Sequence, residues 1–376
     1  MKKMMLWPLL LVLLTTGCWD YRGMNSINIV AGFAADKDPQ TGLYQLTLEI
    51  VNMKAGDEGE DQSIYVQTEG VTIVDAMRNA QKKLVNKLFF GNMRTVMISQ
   101  QIAQEEGILN TMDALLRDGE ARETVNMIIS QENTAREVLM AEGMDMRNTS
   151  FQISKIVEED NRTVSATKQI QLYRAYEMIQ KEGCALVLPA FIQGQNGATK
   201  VAEANGLALF KEDKLTGYLS PEEARHYLIA VGEAQGGIVN IPFRPGEPMN
   251  VSFELESCRS KLSYQYREEV LTIAIDLVLE LNLVELLVQE VSVNREIQDY
   301  LEERAATVLG EEILRLTQKT VQGPNGDIFG FGNRMYKKQP DLWAALREDW
   351  DNILKDARWD INVEAHILNT GVTSRQ

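Results

Sequence analysis

Histidine and cysteine are scarce in this 376-residue chain, at two and three residues. Imidazoles and thiolates are the usual ligands of zinc and its neighbours, so such a centre has little to build on here. None of the spacings HExxH, CxxC, GxSxG or the phosphate-binding P-loop occurs. Positive charge is also short: 38 Lys and Arg face 54 Asp and Glu, a net charge of −16. A surface of that sign is repelled by nucleic acid and by anionic lipid head groups. Nucleic acid is thereby excluded as a partner, and a basic patch cannot supply membrane attachment. Past residue 18 no apolar run approaches the ~20 residues of a membrane helix.

The one concentrated apolar segment lies at the start. Met1-Lys2-Lys3 is followed by a nearly unbroken run from Met4 to Leu14, then Thr15-Thr16-Gly17 and Cys18. The run is too short to span a bilayer, and Pro8 would weaken a helix there. A positive start, a short apolar core and small residues before a cut form a secretory signal, assigned to residues 1–17. A cysteine directly after them resembles the lipobox of bacterial lipoproteins, in which the thiol takes a diacylglyceryl group and cleavage falls just before it. The usual box has Leu three residues before the Cys; Thr15 stands there, with Leu14 one place further back. Cys18 is therefore the expected lipidation site. Loss of Lys2 and Lys3 leaves 36 basic against 54 acidic residues, −18, on the mature chain. Cys184 and Cys258 remain, both in apolar strand-like text. They read as buried free thiols, with a disulfide between them as the alternative.

Along the mature chain, strands are expected at Ile27–Ala34, Tyr44–Val51 and Ile64–Thr68. Thr72 with Asp75 starts a helix, and Ile73, Met77, Ala80, Leu84 and Leu88 continue one apolar stripe. A strand at 93–99, a helix at 101–116, a strand at 124–130 and a helix at 134–141 complete an N-terminal α/β domain, residues 18–142. Residues 143–200 are polar and helix-compatible with few apolar positions, and are expected as a helical connector and second small domain. The C-terminal α/β domain, 201–376, opens on a hairpin over 206–219 and a capped helix at Ser220-Pro221-Glu222-Glu223. Alternating strands at 249–259 and 270–281, a long helix from Val293 to about Thr320, a break at Gly323-Pro324-Asn325-Gly326, a helix at 340–356 and a strand at 361–368 follow. The fold class is mixed α/β (α+β), in several domains.

Chemistry is hard to place on this chain. His226 lies in the capped helix and His366 in the last strand, each read as packed or solvated rather than ligating. The acidic pairs Glu105-Glu106, Glu158-Glu159-Asp160 and Glu302-Glu303 read as solvated faces rather than as a glycosidase pair. Gly330-Phe331-Gly332 lacks the third glycine and the strand context of a nucleotide loop, so it reads as a turn that packs two Phe rings. No catalytic residue, metal or cofactor is expected.

Taken together, several short segments carry a family resemblance. Cys18-Trp19-Asp20-Tyr21-Arg22 resembles the C-W-D-x-R start of the Ger(x)C spore germination lipoproteins, the C subunits of germinant receptors. Lys87-Leu88-Phe89-Phe90-Gly91-Asn92 is similar to their K-L-F-x-G segment, and Arg117-Asp118-Gly119-Glu120-Ala121-Arg122 to R-D-x-E-x-R. Asp327-Ile328-Phe329-Gly330-Phe331-Gly332 resembles D-x-x-G-F-G, and Pro340-Asp341-Leu342-Trp343, Trp350 and Asn369-Thr370-Gly371 resemble the ending. The Gly323–Gly326 break departs from the family pattern, which runs its helix almost to the Asp. The resemblance implies three small domains with mainly antiparallel or mixed sheets flanked by helices. It also implies a non-enzymatic, lipid-anchored subunit on the outer face of the spore inner membrane, beside multi-spanning A and B subunits. It carries over no ligand-binding residue, only the lipidation of Cys18. The alternative function is an extracytoplasmic solute-binding lipoprotein that captures the nutrient itself, which would need two similar lobes around a cleft.

Overall fold

The computed structural model describes residues 26–53, 63–288 and 291–370. It is a mixed α/β structure built on two sheets. The first has nine strands in the order β3-β2-β1-β5-β6-β7-β8-β9, with β4 paired to β1. Its strands are β1 (Ile27–Lys37), β2 (Tyr44–Val51), β3 (Ser63–Gly70), β4 (Lys87–Phe89), β5 (Thr95–Ser99), β6 (Asn126–Ser130), β7 (Val187–Asn196), β8 (Thr199–Lys211) and β9 (Lys214–Leu219). β1, β5, β6 and β7 run parallel, and antiparallel hairpins extend the sheet at both ends. Val96, Met97, Ile98 and Met127, Ile128, Ile129 are fully buried on both faces, the pattern of a covered parallel sheet.

The helices of this half are short. Thr72 caps α1 (Ile73–Asn79) by accepting the Asp75 N–H, while the Asp75 carboxylate accepts the Val71 N–H at 3.0 Å. The apolar stripe expected to continue to Leu88 stops early. A single 3₁₀ turn covers 80–83, Leu84 turns extended at φ −128°, and Leu88 lies in β4, where Lys87 to Phe89 pair with Ile27 to Ile29. Sheet pairing overrides helical spacing there. The helix expected over 101–116 is two, α2 (Gln100–Glu105) and α3 (Leu109–Asp118), broken at Gly107 with φ +88°. The helix expected over 134–141 is α4 (Ala135–Leu139).

Residues 143–200 hold α5 (Thr149–Thr163), α6 (Leu172–Gln180) and β7. α5 covers one face of the first sheet, where Ile153 and Val157 pack with Ala34, Met97, Ile128 and Phe191. Its buried face is largely Thr149, Ser150, Gln152 and Ser154, small or polar residues that count for nothing in an apolar stripe. They permit close approach: a Cβ at Gly32 would lie 2.4 Å from Ser150 Oγ. Glu49, fully buried on β2, accepts the N–H groups of Thr149 and Ser150 at 2.9 and 2.8 Å and satisfies the helix start. β8 runs through residue 200 without interruption.

Ser220 and Glu223 form a reciprocal capping box on α7 (Pro221–Ala230). The second sheet follows in the order β10 (Ile238–Ile241), β11 (Val251–Arg267), β12 (Val270–Leu286) and β13 (Arg358–Asn369), with only the β12–β13 pair parallel. β11 and β12 are 17 residues each, about 55 Å of extended chain. On β12 every second residue from Leu271 to Leu283 is buried. Those seven side chains contribute roughly 10–20 kcal/mol of gross apolar burial, offset by the ordering entropy of the same segment.

The crossover to β13 carries α8 (Arg295–Gln322), which lays Leu301, Ala305, Val308, Leu309, Ile313 and Leu316 on the sheet. It ends at Gly323, and three short helices follow: α9 (Phe331–Lys338), α10 (Pro340–Leu346) and α11 (Trp350–Lys355). One apolar core runs from Val187, Leu207 and Leu219 of the first sheet across α7 to the second sheet.

Candidate anchor-proximal site and the contacts among the motifs

Cys18 lies outside the described residues, as do Trp19 to Arg22 and Gly371. The description begins at Ser26, eight residues beyond Cys18, and runs directly into β1. Beside that start sits β4, the Lys-Leu-Phe part of the first internal motif, in parallel register with β1. Gly91 is needed for its shape, because a Cβ there would lie 2.6 Å from Phe89 Cζ. The second motif closes α3: Gly119, at φ +68°, ends the helix and turns the chain back. Asp118 and Glu120 thereby meet cations from the first motif's surroundings, Arg78 to Asp118 at 2.8 Å and Lys87 to Glu120 at 2.8 Å.

The motifs thus meet around an open cleft of about 870 Å³, lined by Ser26, Arg78, Val85, Lys87, Phe90 and Glu120 among others. Glu120 Oε2, on the cleft wall, and Asp118 Oδ1, beneath Arg78, are buried with no partner among the described residues. Val85 is fully exposed and Phe89 40 % exposed on the same end. The cleft offers ion pairing and apolar contact.

A second cluster gathers the C-terminal motifs. Asp327, 4 % exposed, accepts the N–H groups of Gly330 and Gly332 at 2.8 and 2.7 Å and the Trp350 indole N–H at 3.3 Å. Burial pushes its carboxyl up to about 6, against the lowering effect of those donors. Trp343 stands edge-on to Trp350 with ring centroids 5.2 Å apart and donates to Glu182 at 2.6 Å. Gly332 leaves room for Trp343, since a Cβ would sit 2.7 Å from Trp343 Cζ3. Phe329 and Phe331 pack on Trp359 at 5.8 and 5.7 Å. Glu182 and Gly183, which no motif marks, complete the knot: the Gly183 C=O accepts the Asn333 N–H at 2.8 Å. The turn therefore packs its two Phe rings and ties the C-terminal helices to the chain just before β7.

His226 is buried in α7, and burial holds its imidazole down near 4. His366 stands beside Glu280 in the β12–β13 register. Cys184 and Cys258 are free and half-buried, and burial raises both thiols to about 11, which keeps them unreactive near neutrality.

Two carboxylates read as solvated are engaged instead. Asp160 is buried and accepts the Thr167 N–H at 2.7 Å. Glu302 accepts the Ile367 N–H at 2.9 Å. Backbone donors, invisible in a charge pattern, draw them in. Among the described residues no three His, Cys, Asp or Glu side chains are grouped to hold a metal, and no helix is long and apolar enough to cross a membrane.

Both halves of the chain match described families: residues 20–192 match the spore germination protein N-terminal domain, and residues 205–371 match "Spore germination B3/GerAC like, C-terminal". Spore germination protein KC of Bacillus subtilis (strain 168) is 23 % identical over 97 % of this chain and 94 % of its own length. Spore germination protein B3 of the same organism is 19 % identical over 97 % of each chain. Among solved structures, the crystal structure of the GerBC protein superposes with a TM-score of 0.59 at 18 % identity, over 90 % of this chain and 97 % of that one. That likeness extends the mixed α/β architecture to a solved relative. From the segment just after Cys18 to the last strand, the chain pairs a spore germination protein N-terminal domain, residues 20–192, with a spore germination B3/GerAC-like C-terminal domain, residues 205–371, and so belongs with the spore germination proteins built from these two parts.

Proposed function

We propose that this chain is a lipid-anchored, non-enzymatic accessory subunit of a nutrient germinant receptor. It is held by Cys18 on the outer face of the spore inner membrane, beside multi-spanning A and B subunits. The observation that carries this reading is the end-to-end likeness to spore germination proteins, together with a signal that ends on a cysteine. The geometry supports it locally. Ser26 lies eight positions after Cys18, a reach of at most about 28 Å, so the β4 end of the first sheet stays close to the anchor. That end carries Arg78 and Lys87, paired with Asp118 and Glu120, beside exposed Val85 and Phe89. A tethered subunit works at high effective concentration, so weak contacts with its neighbours suffice. The sheets differ in strand number and order, which argues against a two-lobed solute-binding arrangement.

The test is Cys18→Ala in sporulating cells. The expected result is loss of membrane attachment and of the nutrient response, with the circular dichroism of the soluble part unchanged. Normal germination with released protein would refute the anchored-subunit reading.

A further inference from the structure

The second sheet ends on β13, and the outer edge of that strand is only partly met. At Ile367 the N–H donates to Glu302 Oε1 at 2.9 Å and the C=O accepts from Gln298 Nε2 at 3.0 Å, so this residue faces away from β12. Strand alternation points the N–H and C=O groups of Trp359, Ile361, Val363 and Ala365 to the same side. Among the described residues, only the Ile367 pair on that side is met by α8. An unpaired strand edge is a template for another strand.

Alongside residues 359–364 the edge opens on a groove of about 880 Å³ whose opposite wall is α8. The helix lines it with Ala306, Gly310 and Leu314. Gly310 is the telling residue. Mid-helix glycine costs about 1 kcal/mol relative to Ala, yet a Cβ there would meet only Val363 Cγ2, at an ordinary 3.6 Å. Packing therefore does not demand glycine; its effect is to widen the groove.

The charge of the groove is of one sign. Glu303, Glu311, Asp360 and Glu364 line it, and no Lys or Arg does. The indole N–H of Trp359, whose ring packs inward on Phe329 and Phe331, is buried with no acceptor among the described residues. A strand edge beside a helix, with an apolar floor, is the geometry that receives an extended peptide by strand addition.

We infer that the β13–α8 groove binds an extended segment of a partner polypeptide as a fifth strand of this sheet. Its alternate apolar side chains pack on Ala306, Gly310 and Leu314, and its basic side chains meet Glu303, Glu311, Asp360 and Glu364. The inference does not depend on the receptor reading.

The probe is a peptide of about ten residues alternating valine with lysine, titrated into the purified protein by calorimetry, with a valine–glutamate peptide as its counterpart. Saturable binding of the lysine peptide is expected below about 1 mM, with little heat from the glutamate peptide. Slowed amide exchange at Ile361 and Val363 should accompany it. Gly310→Leu fills the groove from a helical position and should weaken binding at least about tenfold. Glu311→Lys, on the exposed rim, should do the same without entering the core, so a misfolded Gly310→Leu would not leave the matter undecided. Equal binding of both peptides, no binding to the wild type, or undiminished binding to both variants overturns the inference. So does a wild-type dimer that Gly310→Leu dissolves, since the occupant would then be a second copy of this chain.

Discussion

Replacing Asp327 by Asn tests the knot that joins the C-terminal motifs, and its outcome turns on a competition between two effects. Burial disfavours the charged carboxylate, whereas N–H donors from Gly330, Gly332 and Trp350 favour it. Burial dominates, and the carboxyl titrates near 6 instead of 3.8. An acid whose folded pKa is raised contributes its stabilisation fully below about pH 3.8 and loses it as pH rises through about 6. The interval of about two units corresponds to ~3 kcal/mol. Asparagine keeps the shape of the protonated acid and stays neutral throughout. The stability of Asp327→Asn minus that of the wild type should therefore rise by ~3 kcal/mol between pH 3.5 and pH 7.5. For a domain of this size that is a relative shift in Tm of about 6–12 °C. Denaturant titrations at the two pH values, followed by tryptophan fluorescence, measure it, and the double difference cancels every other titrating group. A difference that stays flat, or that falls with pH, would refute the argument. The three donors would then outweigh burial, and the carboxylate would be the preferred form.

Substitutions at two further places probe where the backbone decides. Gly32→Ala should cost about 2 kcal/mol or more, because the new Cβ would fall 2.4 Å from Ser150 Oγ and 2.5 Å from the Thr95 carbonyl. Ser150→Gly in the same chain should restore part of that loss, and full restoration in thermal unfolding would mean the Thr95 carbonyl is no obstacle. At the tip of the long hairpin, Glu268 and Glu269 hold φ of +51° and +61°, the left-handed region that Asn and Gly adopt readily in a two-residue turn. Glu268→Asn with Glu269→Gly should raise stability by about 1–2 kcal/mol, and an unchanged or lower midpoint would count against the turn assignment.

Much of the fold is legible in the residues themselves. The capping box at Ser220, the alternation along β11 and β12, the long helix before Gly323 and the hairpin at 206–219 each carry a local signal strong enough to survive into the structure. The signal read at Met1 to Cys18 is of the same local kind. Where local signals ran out, tertiary contacts took over. Leu84 and Leu88 keep helical spacing, but Leu88 is drawn into β4 by pairing with β1 and Leu84 is extended ahead of it. α5 has only a short apolar stripe, Ile153 and Val157, because the rest of its inner face is small and polar and Glu49, a hundred residues away in sequence, caps it.

The candidate sites follow the same division. Lys87, Asp118, Glu120, Asp327, Trp343 and Trp350 can be singled out as motif residues from their order along the chain. Only the folded chain shows that Lys87 meets Glu120, that Asp327 holds Trp350, and that an open groove lies between α8 and β13. Residue type and spacing decide local backbone preferences and which face is apolar, because those act over a turn or a strand pair. Which distant carboxylate meets which buried N–H depends on how the two sheets pack. That information is carried by the core as a whole and by no single segment.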